Sequence, residues 1–489
     1  MTDPEMSAPG DGAFSRVGQG IRWSATGAVV LRLAQFSMGI VAARLVAPEQ
    51  FGAFAVALTV YGIVLTMSDM GVTQAIPREV TRTPEIGPTV MTLNMGATVV
   101  VAGLMAWTAE PVAAMFGAVD AAPAIRILAL TMCVGALGTV PAAVLARDYR
   151  QKERFWSDAV NLIVSSALLV VLALQGYGAL ALAWSRFGGQ AASAIVLNVV
   201  CKERYRFGFD KGEAVPLLRF SLPLAAAMGV DVGINNVDTL AVGRFAGAEA
   251  LGYYNLAFTV AAWPIGILSQ IMMNITMTTL ARSQDDLPTL RFHLRSLSTA
   301  LSGVAFPAAA MIMALAAPLV TVVYGERWLP AALPLMTLGA FTVVKLVQVM
   351  LTDLFTALGL TRDLLWVQVV WLVALAPAMF WMVSTYGYEG AAIAHIAVGI
   401  LIVIPMYLIV AHRRTGVGIG WVRPELLKPL FASVIAGLGA SFTTTLLDHP
   451  LAQLLVGGLV GGALYLLLVG RWLFGHLSRM RTVYSGSKA

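Results

Sequence analysis

Apolar runs of bilayer length fill most of this chain, and the polar connections between them are short and alternate between strongly basic and nearly uncharged. At about 20 residues per crossing of roughly 30 Å of hydrocarbon, the runs predict about fourteen transmembrane helices. The first six are expected near Gly20–Arg44, Gly52–Ile76, Thr89–Thr108, Ile125–Ala146, Asp158–Leu174 and Ala179–Val200. The seventh and eighth run to about Thr276, and the next four lie near Ser296–Ala317, Ala331–Leu358, Leu364–Ser384 and Ala391–Ala411. A final hairpin is expected near Pro429–Leu447 and Leu451–Val469.

The pattern repeats. ARLVAPEQFGAFAVA (Ala43–Ala57) reads like GRFAGAEALGYYNLA (Gly243–Ala257), so that Arg44, Glu49 and Gly52 return 200 positions later as Arg244, Glu249 and Gly252. MFG ending at Gly117 and VYG ending at Gly325 occupy matching places after the third and ninth spans. The chain therefore reads as a duplicated unit: a first six-helix lobe over 1–210, a second over 211–412, and a hairpin with a polar tail over 413–489. The predicted fold class is all-α and polytopic. An even number of spans per half gives the lobes the same orientation, related by an axis along the membrane normal.

Composition agrees with the pattern, since 58% of residues are hydrophobic and only 12% charged, far from a soluble globular balance. No polar connection is long enough for a soluble catalytic head. The polar N-terminal stretch leads straight into a long span bearing Arg22 and Arg32, which is not the shape of a cleaved signal peptide. The net charge of +6 is read as the positive-inside rule rather than as affinity for nucleic acid. Lys152, Arg154, Lys202, Lys211, Arg413 and Arg414 fall in alternate connections, which predicts that both termini are cytoplasmic. Cys133, within a span, and Cys201, beside a basic connection, suggest no structural disulfide. Nothing resembles a phosphate-binding glycine loop, a zinc-ligand spacing or a hydrolase triad, so neither cofactor nor metal is expected.

Polar residues inside apolar spans are the candidate chemistry, because a charge at bilayer depth faces a partner or a watery cavity. Arg32 shares a helix face with Gln35, and Lys345 with Gln348 and Thr352. Each cation fits either an anion site facing a cavity or a structural pair between helices. Arg186, nearer the outer end of the sixth span, fits the same site or a snorkelling side chain. Asp69, Asp231 and Asp238 are the acidic candidates for ion coupling. Asp231 also fits neutralisation of a nearby cation, and Asp238 also fits a brace for the following turn. His395 reads as a helix-end residue rather than a proton carrier, and Trp328, Trp381, Trp421 and Trp472 read as interfacial anchors.

The stretch D-x-x-x-x-G-R-x-x-G-x-x-x-L-G-Y-Y, from Asp238 through Gly243, Gly247 and Gly252 to Tyr254, resembles the polysaccharide transporter family of oligosaccharide-lipid flippases, as do ARLVAPEQFGAFA and SDMGVTQA in the first half. The resemblance covers nearly the whole chain. It implies two lobes around a central cavity that opens to either side in turn, in a bacterial inner membrane. The implied cargo is a polyprenyl-diphosphate-linked oligosaccharide, carried from the cytoplasmic to the periplasmic leaflet, with glycosyltransferases and a polysaccharide polymerase acting before and after. Arg32, Gln35, Arg186, Lys345 and Gln348 then become candidates for holding the cargo, and the diphosphate suits their charge. Lipid II is disfavoured by the lack of a dense arginine cluster at the start of both lobes. The related alternative, a cation-coupled multidrug antiporter, calls for a cavity of acids and aromatics, and a membrane glycan polymerase or ligase calls for a long outer loop that this sequence does not have.

Overall fold

The computed structural model describes residues 30–69, 83–148, 150–201, 207–282, 287–415 and 423–486, and every regular element among them is helical. Two compact units are present, Met1–Val232 and Gly233–Ala489. The first contains α1 (30–45), α2 (Pro48–Asp69), α3 (Thr83–Trp107), the short α4 (Ala109–Met115), α5 (Ala122–Arg147), α6 (Gln151–Leu174) and α7 (Ala179–Val200). α8 (Lys211–Arg282) follows, then α9 (Leu287–Ala314), the short α10 (Ala316–Val323), α11 (Ala332–Ala357) and α12 (Thr361–Tyr386). A π turn at Gly399–Val403 joins α13 (Glu389–Val398) to α14 (Ile404–Thr415), and α15 (Arg423–Leu446) pairs with α16 (Pro450–Gly486).

Ten helices among the described residues are long and apolar enough to cross a membrane. Of the fourteen expected, the first falls partly on residues outside that description, and the seventh and eighth lie in α8, where many side chains lie outside it. The sixth is present as the 22-residue α7, but Arg186, Gln190 and Asn198 lower its hydropathy. Large hydrophobic side chains such as Trp107 and Leu467, each 81% exposed, give the surface expected toward lipid rather than water. The protein is a multi-pass membrane protein.

The sequence repeat is also a repeat of backbone geometry. Between α1 and α2 the helix breaks at Val46 and Ala47, and Pro48 restarts it at the first helical position, where a missing N–H is no loss. At the equivalent place in the second half, 200 positions on, α8 breaks at Gly247, whose φ of 87° and ψ of 174° are almost restricted to glycine. Gly117 and Gly325 also match: both have positive φ, 68° and 100°, both end a short helix, and both precede a 3-10 turn.

Within the first unit, α6 and α7 meet through small and polar residues, the usual substitute for hydrophobic attraction inside a bilayer. Ser157 and Ser193 hydroxyls lie 2.8 Å apart. At Gly189 a Cβ would stand 2.8 Å from the Asn161 carbonyl oxygen. The segment before α8 is fastened to α3, since the Gly208 N–H and the Asp210 N–H donate to the Thr92 and Thr89 hydroxyls at 3.1 Å each.

In the second unit, the C-terminal hairpin docks on α9. The Tyr465 hydroxyl donates to the Gly303 carbonyl at 2.8 Å, and the Ser302 hydroxyl donates to the Glu425 carbonyl at 2.8 Å. Trp328, expected at the interface, is instead completely buried, because the 3-10 turn after Gly325 folds it inward against the edge of Tyr253. Trp381 is exposed, as an anchor would be, and Trp421 lies outside the described residues.

Gly189→Ala should destabilise the first unit by about 1–3 kcal/mol, because the new methyl group overpacks a backbone contact. Thermal unfolding in detergent measures this, and an unchanged midpoint would show that α6 and α7 can separate without loss.

Candidate functional site

The second unit gathers polar side chains from four helices. On the first limb of α8, Asn235 and Asp238 are three residues apart and share a face. Phe341, Lys345 and Gln348 follow steps of four and three along α11 and also share one face. α12 supplies Trp371, and α13 supplies His395.

Asp238 is only 2% exposed, so its charge has to be answered by protein groups. The Tyr254 hydroxyl donates to Oδ2 at 2.7 Å, and the Thr239 N–H donates to Oδ1 at 2.7 Å. His395 Nε2 stands 3.5 Å from the same Oδ2. Asp238 and Tyr254 lie on opposite sides of the break at Gly247, so this hydrogen bond ties the two limbs of α8 together. The motif's first and last residues thus meet, which is the bracing geometry. In the first half the equivalent positions, 38 and 54, are Met38 and Phe54, which pack in one apolar cluster with Ala42 and Val46. The two halves brace the same turn by different chemistry.

His395 lies in the last turn of α13, near one end of the Glu389–Arg414 span, as its position suggests, but it does not face outward. It is 4% exposed, stacked on Phe341 with ring centroids 4.5 Å apart. Its partner sits on a distant helix, so no periodicity in the sequence points to the pair. Next along α11, Lys345 Nζ approaches Asn235 Oδ1 at 3.4 Å and lies 5.0 Å over the Trp371 ring, a cation–π contact. The same face continues to Gln348, 1% exposed, whose amide nitrogen and oxygen have no hydrogen-bond partner among the described residues.

The other expected site residues are distributed as follows. Arg32 and Gln35 are exposed on α1. Arg186, exposed on α7, holds its guanidinium 5.3 Å over the Tyr61 ring of α2. These three belong to the first unit, and Lys345 and Gln348 to the second. Asp69 closes α2 and Asp231 lies within α8, and the side chains of both lie outside the described residues.

Membrane-length helices with cations and a partnered carboxylate inside them define a polytopic protein with a polar interior, the architecture of a membrane transporter. Residues 41–333 match the family described as polysaccharide biosynthesis protein, and the chain belongs to that family. It is similar to the succinoglycan biosynthesis transport protein ExoT of Rhizobium meliloti (strain 1021), with 27% identity over 452 residues covering 87% of each chain. The lipopolysaccharide biosynthesis protein WzxC of Escherichia coli (strain K12) is 27% identical over 317 residues, covering 63% of each chain. Among solved structures, the lipid II flippase MurJ in its inward closed conformation shares the fold, with a TM-score of 0.75 at 15% identity, over 92% of this chain and 100% of that one.

Tyr254→Phe should cost about 1–3 kcal/mol, because it removes a donor from a buried carboxylate. Combined with Asp238→Asn it should cost less than the sum of the two single changes, since both act on one interaction. Unfolding midpoints of the two single variants and the double variant measure the coupling, and strict additivity would mean the clamp does not operate.

Proposed function

We propose that this protein carries a polyprenyl-diphosphate-linked oligosaccharide from the cytoplasmic to the outer leaflet of a bacterial inner membrane, by alternating access, for surface polysaccharide synthesis. The observation that carries this reading is the similarity, over 87% of each chain, to a relative named for succinoglycan transport. The cations inside the helices support it. Arg32, Arg186 and Lys345 suit an anionic cargo, whereas export of lipophilic cations would call for acids in their place.

In this reading the chain has about fourteen spans, arranged as two parallel six-helix lobes around a central cavity with the hairpin appended, and both termini are cytoplasmic. Glycosyltransferases supply the cargo and a polymerase consumes it. Arg32 and Lys345, one per half, hold the diphosphate, with Gln35, Gln348 and Arg186 completing the polar surface. A diphosphate leaving water loses strong hydration, so fixed cations have to replace it. Asp69, Asp231 and Asp238 are the candidates for coupling to an ion gradient.

Glycolipid flipping in proteoliposomes, normalised to inserted protein, tests the binding assignment. Arg32→Ala and Lys345→Ala should nearly abolish it. Arg32→Lys should impair it despite the retained charge, because lysine cannot grip two phosphate oxygens with a planar fork. Near wild-type rates in both alanine variants would remove these residues from the site. Deleting the gene should trap lipid-linked oligosaccharide inside and abolish a surface glycan; unchanged glycan with new drug sensitivity would favour the antiporter.

Single-cysteine labelling of intact cells, in a background lacking Cys133 and Cys201, tests the topology. Positions 247 and 387 should label from outside, and positions 152 and 211 should not. Labelling of position 211 from outside would overturn the even-span arrangement.

A further inference from the structure

We infer that the second unit contains a proton-binding site, the Asp238–His395 pair, reached through a ladder of buried polar side chains between α11 and the α13–α14 helix. The inference deepens the transport reading by naming a coupling ion and a new residue. It rests on that reading for what the proton accomplishes, but not for where it binds.

The pair has the geometry of a site that gains and loses a proton rather than a locked ion pair. His395 Nε2 and Asp238 Oδ2 are 3.5 Å apart, longer than a charge-assisted hydrogen bond. Neither imidazole nitrogen has a hydrogen-bond partner among the described residues, although the ring is buried. Buried polar groups left in this state are uncommon and call for an explanation, and exchange of protons is one. Among the described residues, Tyr254 from the second limb of α8 is hydrogen-bonded to the carboxylate, and Lys345, one turn along α11 from Phe341, is engaged with Asn235 and Trp371.

From His395 further polar side chains follow at spacings of about one helical turn, His395 and Gln348 without hydrogen-bond partners among the described residues and Thr352 and Tyr407 bonded to each other. Phe341 caps the first layer by stacking on the imidazole. Four residues beyond His395, Gly399 opens the π turn, and the Gln348 amide fits against it: a Cβ there would stand 3.0 Å from Gln348 Nε2. π turns inside α-helices occur frequently at functional positions. The unmet amide nitrogen and oxygen of Gln348 are what an intervening water would need. One turn further along α11, Thr352 Oγ1 meets the Tyr407 hydroxyl at 3.0 Å, and Tyr407 is fully buried. Twelve residues separate His395 from Tyr407, a rise of about 18 Å, more than half the hydrocarbon thickness. The ladder ends two turns short of Arg413 and Arg414, on the side the charge pattern assigns to the cytoplasm.

In the transfer itself, a proton arrives at Nδ1 of His395, and the imidazolium so formed releases its Nε2 proton to a carboxylate oxygen of Asp238. No other bond changes, and the imidazole is left as the other neutral tautomer.

Proton uptake after a pH jump from 8 to 5, the range in which histidine titrates, is measured with a water-soluble indicator dye on protein reconstituted without glycolipid. His395→Gln should lose part of the wild-type uptake. Gln348→Leu should keep the full amplitude but lose the fast phase, and Thr352→Val should do the same with less disturbance of packing. Equal uptake by wild type and His395→Gln would overturn the site, and unchanged fast phases in both ladder variants would overturn the route. Because the vesicles hold no glycolipid, failure here leaves the flippase reading intact, and a wild-type protein that moves no glycolipid leaves this result intact.

Discussion

A carboxylate buried among apolar helices is unstable unless donors surround it, and Asp238 meets that demand with groups drawn from three places in the chain. The Thr239 N–H is local, the Tyr254 hydroxyl comes from across a helix break, and the His395 ring comes from a helix near the end of the second half. One charge thereby fixes the angle between the limbs of α8 and the seat of α13. Its environment also decides what neighbours are allowed: Phe341 must lie flat on the imidazole, and the next polar residues on α11 fall in line with it. A buried charge is a weak source of stability but a strong source of specificity where each partner is satisfied. Asp238 meets this only in part: Thr239 and Tyr254 donate to its oxygens, while the nitrogens of the neighbouring His395 have no hydrogen-bond partner among the described residues.

The duplicated halves show how little of this the fold itself requires. The same turn is made with Ala47 and Pro48 in one half and with a positive-φ glycine in the other. The equivalent residues, Met38 and Phe54, both pack against one apolar cluster in one case, and carboxylate bonds tyrosine in the other. In the first half the side chains at these two positions contribute only apolar surface. The polar version in the second half therefore carries something that bracing does not need.

The membrane-length helices and the repeat were legible because hydropathy and glycine placement act over a few residues at a time, with ten of the expected spans found among the described residues. Lys345 and Gln348 were legible as one face for the same reason, and the contacts of Lys345 with Asn235 and Trp371 show what that face meets. The position of His395 near a helix end was legible, but its burial and its neighbour were not, because they are set by Asp238, far away in sequence. Trp328 was misread because a six-residue 3-10 turn, too short to leave a periodic signal, decides which way the ring points. For His395 the available hint was the run of small residues around it, since Ala391, Ala392 and Ala394 are all buried and small residues mark close helix contact.

The clamp across Gly247 also bears on how the chain enters the membrane. The first limb of α8, threaded into lipid alone, would present Asp238 to hydrocarbon with nothing beyond its own backbone to answer it. Sixteen residues later the second limb brings the Tyr254 hydroxyl to the same carboxylate. The two limbs are thus better suited to partition as one preformed hairpin than in succession, and the glycine that lets the chain fold back on itself becomes a requirement of assembly as well as of the finished shape.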